Sequence, residues 1–146
     1  MEVIPDQLFD VVVHAATEVF ENMLFVSIYP VAGSSPLTGQ VIHGRIRYQG
    51  PHSATVHLYL PADLALRLAG DFLGEGTPDE ELVLDACAEV ANMVAGRHLK
   101  SLSPDARLYR LAMPQVAVEI DPVTPPQART FTTGRHLLQL ALEVEQ

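Results

Sequence analysis

The chain has 146 residues, 48% of them hydrophobic, enough for one domain spanning 1–146 with a core of its own. Nine Lys and Arg stand against 18 Asp and Glu, and the formal charge of −9 repels nucleic acid and anionic membranes, so neither is an expected partner. The N-terminal MEVIPDQLFD is acidic where a signal peptide needs basic residues, no apolar run reaches the roughly 18 residues of a membrane span, and a cytoplasmic location is expected.

Pro5 to Met23 reads as a first helix, with Leu8, Val12, Ala15, Ala16, Val19 and Met23 at helical spacing and Asp10, His14, Thr17 and Glu21 on its wet side. Leu24 to Tyr29 alternates like a strand, and Pro30 to Pro36 is turn-rich. Gln40 to Tyr48 reads as the next strand. Gly50-Pro51 then turns the chain into Ser53 to Leu60, where Ala54, Val56, Leu58 and Leu60 share one face and Thr55, His57 and Tyr59 the other. These three strands predict an antiparallel meander with one buried side. PADLALRLAGDFLG gives a short helix with Pro61 near its start and Gly74 past its end.

The stretch Thr77 to Lys100 carries the most information. Thr77, Pro78 and Glu80 form a capping box with proline at the first helical position, so the main helix is predicted to start there. Its interior is apolar nearly all the way round, from Leu82 to Ala95, which predicts a mostly buried helix. The exceptions are Asp85, Glu89, Asn92 and Gly96, which at about 100° per residue fall within an arc of roughly 60°. Such a seam can simply be the wet side of a helix laid on a sheet. Here, however, small residues, Ala88 and Ala95, flank it where a solvated face carries long charged side chains, and Gly96 continues it, so another surface could approach closely. Glu89 and Asn92, at i and i+3, point the same way and offer an anionic acceptor beside an amide. Neither is a nucleophile; the pair can position other groups. Cys87, the single cysteine, projects about 160° from Glu89 and is expected in the core, where a free cysteine behaves as a small hydrophobe.

Beyond Ser103-Pro104-Asp105, a turn, strands are expected over Arg107 to Met113, Val116 to Ile120, Arg129 to Thr133 and His136 to Val144, the last with Leu138, Leu140, Leu142 and Val144 alternating. Asp10, His14, Thr17 and Glu21 repeat the offsets of Asp85, Glu89, Asn92 and Gly96, which suggests two degenerate halves. The fold class expected is α+β: a two-layer sandwich, an antiparallel sheet covered on one face by two long helices, each half a helix plus a meander.

ELVLDACAEVANMVAG resembles the active helix of the CheX-type chemotaxis phosphatases, relatives of CheC, through the pattern [DS]-x-x-x-E-x-x-N followed by Met and a later Ala-Gly; Asp85, Glu89, Asn92, Met93, Ala95 and Gly96 match. The order of the elements is also similar across most of the chain, although QVAVEI lacks a glycine that family members often carry. The resemblance implies an aspartyl-phosphate phosphatase acting on a CheY-like response regulator. Glu89 and Asn92 would be the catalytic pair, with Asn92 orienting the attacking water and Glu89 pairing with the regulator's lysine, while Asp85, Ala88 and Gly96 would contact the partner. No cofactor of the chain's own is implied, and Mg²⁺ is expected on the regulator. CheX-type members carry one site, on the second helix, and dimerise through their sheets. A homodimer is therefore expected, and the apolar face and possible edge of the last strand agree with it. The alternative is a non-catalytic interaction module, since flagellar switch components use a related fold.

Other chemistries lack the spacing they need. His14, His43, His52, His57, His98 and His136 form no HxxxH or HxH pair, so no metal site is read from the sequence. GxGxxG and the P-loop pattern are absent, and the GSSP around Ser34 and Ser35 is not a nucleophile elbow.

Overall fold

The computed structural model describes residues 5–33, 35–73, 78–105 and 107–145. Helix α1 covers Pro5–Met23, as its periodicity predicts. The segment expected as the first strand behaves differently. Leu24 and Val26 turn their amides back onto the carbonyls of Val19 and Phe20, and Phe25 takes a left-handed φ of 57°. LFVSIY therefore wraps the end of α1 and alternates buried with exposed side chains without a ladder; only β1, Tyr29–Pro30, pairs. Strands β2 (Gln40–Gln49) and β3 (Ala54–Pro61) form the hairpin turned by Gly50. A Cβ on Gly50 would lie 2.5 Å from the Tyr109 ring and 2.6 Å from the Leu108 carbonyl oxygen, so this turn accepts only glycine without displacing backbone.

Helix α2 (Ala62–Leu73) and helix α3 (Glu80–Leu102) follow. The expected cap at Thr77 and the stop at Gly74 lie outside the described residues. The cap observed is Asp79, whose side chain accepts from the Leu82 amide at 2.9 Å, so α3 begins at Glu80 rather than at Pro78. An aspartate at this position satisfies one of the free amides of the first turn as well as threonine would. Of the strand expected over Arg107 to Met113, only β4 (Arg110–Leu111) pairs, and β5 (Gln115–Ile120) continues along the same edge of β2 after Pro114. The missing glycine does not disturb β5, which keeps regular register from Gln40↔Ile120 to Arg45↔Gln115. Strands β6 (Arg129–Thr132) and β7 (Leu137–Val144) form the second hairpin.

The antiparallel sheet runs β1-β6-β7-β3-β2, with β4 and β5 both on β2. Each hairpin is flanked by a strand of the other half: β1 lies on β6, β5 on β2. The first half is therefore not a consecutive meander, because β1 crosses to the far edge. Helix α1 packs on β7 and α3 on β2, so the helices exchange in the same sense. The two halves expected from the repeated offsets are thus related by a pseudo-twofold arrangement. All three helices bury one face of the sheet in a common core that includes Phe20, Tyr48, Leu58, Leu64, Val90 and Leu140.

The central strands are buried on their second face as well, contrary to a one-sided meander: His57, Tyr59, Gln139 and Ala141 are all under 10% exposed. Leu37 folds over Val41 and Tyr59, and Gln139 donates to the Ser35 carbonyl at 2.9 Å, which ties that loop down across the sheet. Strand β7 sits between β3 and β6, and its apolar positions are consumed by the core. It offers no free edge for a second copy.

Candidate functional site

Helix α3 meets the sheet through Val83, Cys87, Val90, Ala91, Val94, Ala95 and His98. The seam predicted from the sequence lies on the opposite side. Asp85 and Glu89 are exposed, and Ala88, Asn92, Met93 and Gly96 are half-buried. Ala95, expected as a flank of the seam, is fully buried instead. Exposed Leu82, two turns before Glu89 on the same side, is an apolar member that the polar pattern did not include. Gly96 leaves open space: a Cβ there would meet nothing within 4 Å.

Among the described residues, the side chains of Asp85, Glu89 and Asn92 make no hydrogen bond or ion pair, so their hydrogen-bonding capacity is directed outward. The polar residues on neighbouring α1 are engaged. Thr17 donates its hydroxyl to the Val13 carbonyl at 2.8 Å, and His14 Nε2 lies 2.5 Å from Glu18. Glu18 also takes the guanidinium of Arg97 from α3, whose hydrogen bond holds the Glu18 carboxyl below its usual range. The positions of α1 that match Glu89 and Asn92 by offset are therefore occupied within the chain.

Cavities of about 250 to 610 Å³ open elsewhere on the surface, lined by other residues, and none of these is lined by Glu89 or Asn92. A carboxylate and a carboxamide displayed outward on one helix face can enter a cleft on another molecule. Cys87 adds no nucleophile: it is 2% exposed, and burial pushes its thiol up to about 12, leaving it protonated near neutral pH. Among the described residues no group of His, Cys, Asp and Glu is arranged to hold a metal ion, and no helix is long and apolar enough to cross a membrane.

The class is that of an α+β fold in which helices cover one face of an antiparallel sheet, with Glu89 and Asn92 on the outer side of α3. The sequence model of the family described as "Chemotaxis phosphatase CheX" matches residues 42–129, more than half of the chain, and the chain belongs to that family. No curated protein matches it. Among solved structures, the chemotaxis protein CheX from Vibrio vulnificus is similar with a TM-score of 0.80 at 18% identity, over 99% of this chain and 100% of that one. A CheC-like superfamily protein from Shewanella sp. PV-4 is similar with a TM-score of 0.76 at 21% identity, over 100% of both chains. A CheX–CheY–BeF3–Mg complex from Borrelia burgdorferi is similar with a TM-score of 0.71 at 16% identity, over 95% and 98%. At these identities the likenesses concern the fold.

Proposed function

We propose that this protein hydrolyses the aspartyl phosphate of a CheY-like receiver by inserting Glu89 and Asn92 into the receiver's active site. The observation that carries this reading is that, among the described residues, the Glu89 and Asn92 side chains of this CheX-family member face outward from α3 without a hydrogen-bond partner. The receiver contributes the acyl phosphate, a bound Mg²⁺ and a lysine. What the phosphoryl group lacks is a water held in line with the scissile P–O bond, and phosphoryl transfer depends heavily on such positioning. The Asn92 carboxamide accepts a hydrogen bond from that water and orients its lone pair toward phosphorus. Attack forms the new P–O bond, the acyl P–O bond breaks, and inorganic phosphate leaves while the aspartate carboxylate is regenerated. Glu89 pairs with the receiver's lysine and holds the ridge in register, a charge-assisted contact in a partly dried interface. Asp85, Ala88 and Gly96 contact the receiver at the periphery.

The reading is tested by mixing the protein with a phosphorylated receiver and following loss of the phosphoryl group; decay no faster than that of the receiver alone leaves only a binding module. Glu89→Ala is expected to weaken receiver binding and to flatten the dependence of the binding constant on salt, because an ion pair is lost. An unchanged affinity and salt slope would remove the lysine pairing.

Self-association belongs to the same reading, through a different strand from the one the sequence suggested. Among the described residues the outer edge of β5 is unpaired, whereas β7 is interior. A homodimer that joins two sheets through β5 leaves both Glu89/Asn92 ridges, on the helical face, open to receivers.

A further inference from the structure

Phe25 is 87% exposed, and its backbone holds a left-handed φ of 57°. Bulky residues rarely adopt that region, and the left-handed residue that closes a helix is usually glycine. Leu24 and Val26 on either side are buried and return their amides to α1. The fold therefore uses the turn at this position, while the ring itself stands in solvent. Phe25 is not isolated: Met23, 57% exposed, and Phe72 of α2, 44% exposed, line the same cavity of about 250 Å³, together with buried Leu68 and the exposed charges of Arg67 and Asp71. Single exposed apolar residues are ordinary, but a cluster with a polar rim marks a contact surface.

The directions of the two long helices bring this cluster to Asn92. Helix α3 runs along β2: a Cβ on Gly44 would lie 3.5 Å from the Ala91 side chain, and further along both elements Tyr48 Oη meets His98 Nε2. Helix α1 runs along β6, since Asp10 takes the Arg129 guanidinium at the start of that strand and the chain beyond α1 reaches Tyr29 beside Thr132 at its end. Three successive antiparallel pairings separate β2 from β6, so these strands, and the helices lying along them, run in opposite directions. Arg97 ties the helices together through Glu18 at 2.9 Å. Five residues back from Arg97 on α3 is Asn92, and five residues on from Glu18 on α1 is Met23. At the helical rise both lie about 7.5 Å from the tie, in the same direction.

We propose that Phe25, flanked by Met23 and Phe72, is the apolar anchor on which the receiver docks while Glu89 and Asn92 enter its active site. The inference rests on the function proposed above for Glu89 and Asn92. Those two side chains exchange hydrogen bonds with water for hydrogen bonds with the receiver, which adds little net affinity. Burial of exposed aromatic surface next to them supplies the hold, as anchors of this type do in other interfaces. The fitting surface on the receiver is apolar and adjoins its phosphorylated aspartate. A second copy joined through β5 does not cover the cluster, because β5 lies on β2 whereas α1 packs on β7.

Phe25→Gly separates the ring from the turn, because glycine takes a left-handed φ without strain. Its melting temperature is expected to match or exceed that of the wild type. Its Kd for a CheY-like receiver loaded with beryllofluoride and Mg²⁺, which is not hydrolysed, is expected to rise by about tenfold to a hundredfold, the range of an aromatic anchor. At saturation the rate of phosphoryl loss from the phosphorylated receiver should stay at the wild-type value, because Asn92 is intact. Phe25→Tyr keeps the ring and should bind as the wild type does. If the wild type dephosphorylates the receiver and Phe25→Gly binds it within about twofold of the wild type, the anchor is refuted and the reading of Glu89 and Asn92 stands; a wild type that neither binds nor dephosphorylates the receiver overturns both. A lower melting temperature in Phe25→Gly would assign the ring to the fold, and loss of self-association with unchanged receiver affinity would assign it to a second copy; either result overturns the proposal.

Discussion

Gly96 separates what the fold needs from what a partner needs. Since a Cβ at this position meets nothing within 4 Å, the chain itself has no steric use for glycine, and glycine in a helix interior costs about 1 kcal/mol relative to alanine. Gly96→Ala is therefore expected to raise the melting temperature, while the added methyl on the ridge lowers receiver affinity several-fold. Titration of the receiver with both proteins checks this, and an unchanged affinity would place Gly96 outside the contact. Glu89 and Asn92, whose side chains have no partner among the described residues, sit beside a set that is satisfied within the chain, His14, Thr17, Glu18 and Arg97. This contrast distinguishes the two long helices better than their shared residue spacing does.

Helix α3 is fixed at its far end by a buried polar cluster. Tyr48 Oη lies 2.8 Å from His52 Nε2 and 3.0 Å from His98 Nε2, and His52 Nδ1 meets the Tyr109 hydroxyl at 3.1 Å. His98 is fully buried, and burial followed by the charge of His52 lowers its pKa to about 4. Below the unfolded value of about 6.5 the unfolded chain takes up a proton that the folded chain refuses, so stability falls with pH between about 6.5 and 4 and no further below. The expected loss is on the order of 3 kcal/mol at most, read from urea midpoints across that window. In His98→Gln the slope should shrink; an identical slope would exclude His98 as its source. The helices were legible in the sequence because apolar spacing dictates them, and α1 falls on Pro5–Met23 as its pattern requires. Less legible were Leu24 to Ile28, whose alternation caps a helix end instead of pairing, and the crossing of β1 to β6, which is a long-range choice that no local pattern encodes. The seam of Asp85, Glu89, Asn92 and Gly96 could be read because polar residues interrupt an apolar helix. Exposed Leu82 and buried Ala95 could not, since hydrophobicity alone does not say which side of a helix is covered.

At the scale of the molecule, the open edge and the ridge are on different surfaces. The Asp121 amide donates to the Gly39 carbonyl at 2.9 Å, and the alternation of an antiparallel ladder then turns the amides of Val116, Val118 and Ile120 away from β2, toward the free edge. Val118→Pro removes an outward amide that the chain itself does not use, and proline is tolerated on edge strands. If β5 joins two copies, light scattering should give a dimer for the wild type and a mass near 15.9 kDa for the variant; a wild-type monomer, or a variant that still dimerises, would contradict that assembly. Receiver dephosphorylation should survive the substitution, because the ridge lies on the helical face. The central claim is that an amide on this ridge positions the attacking water, and Asn92→Ala tests it most directly. With the protein in excess over a phosphorylated receiver and saturating, so that binding is complete, the rate of phosphoryl loss should fall by about 10²- to 10³-fold, as when one preorganised polar group is removed from an active site, while receiver affinity changes little. A variant that dephosphorylates the saturated receiver within twofold of the wild-type rate would contradict the account.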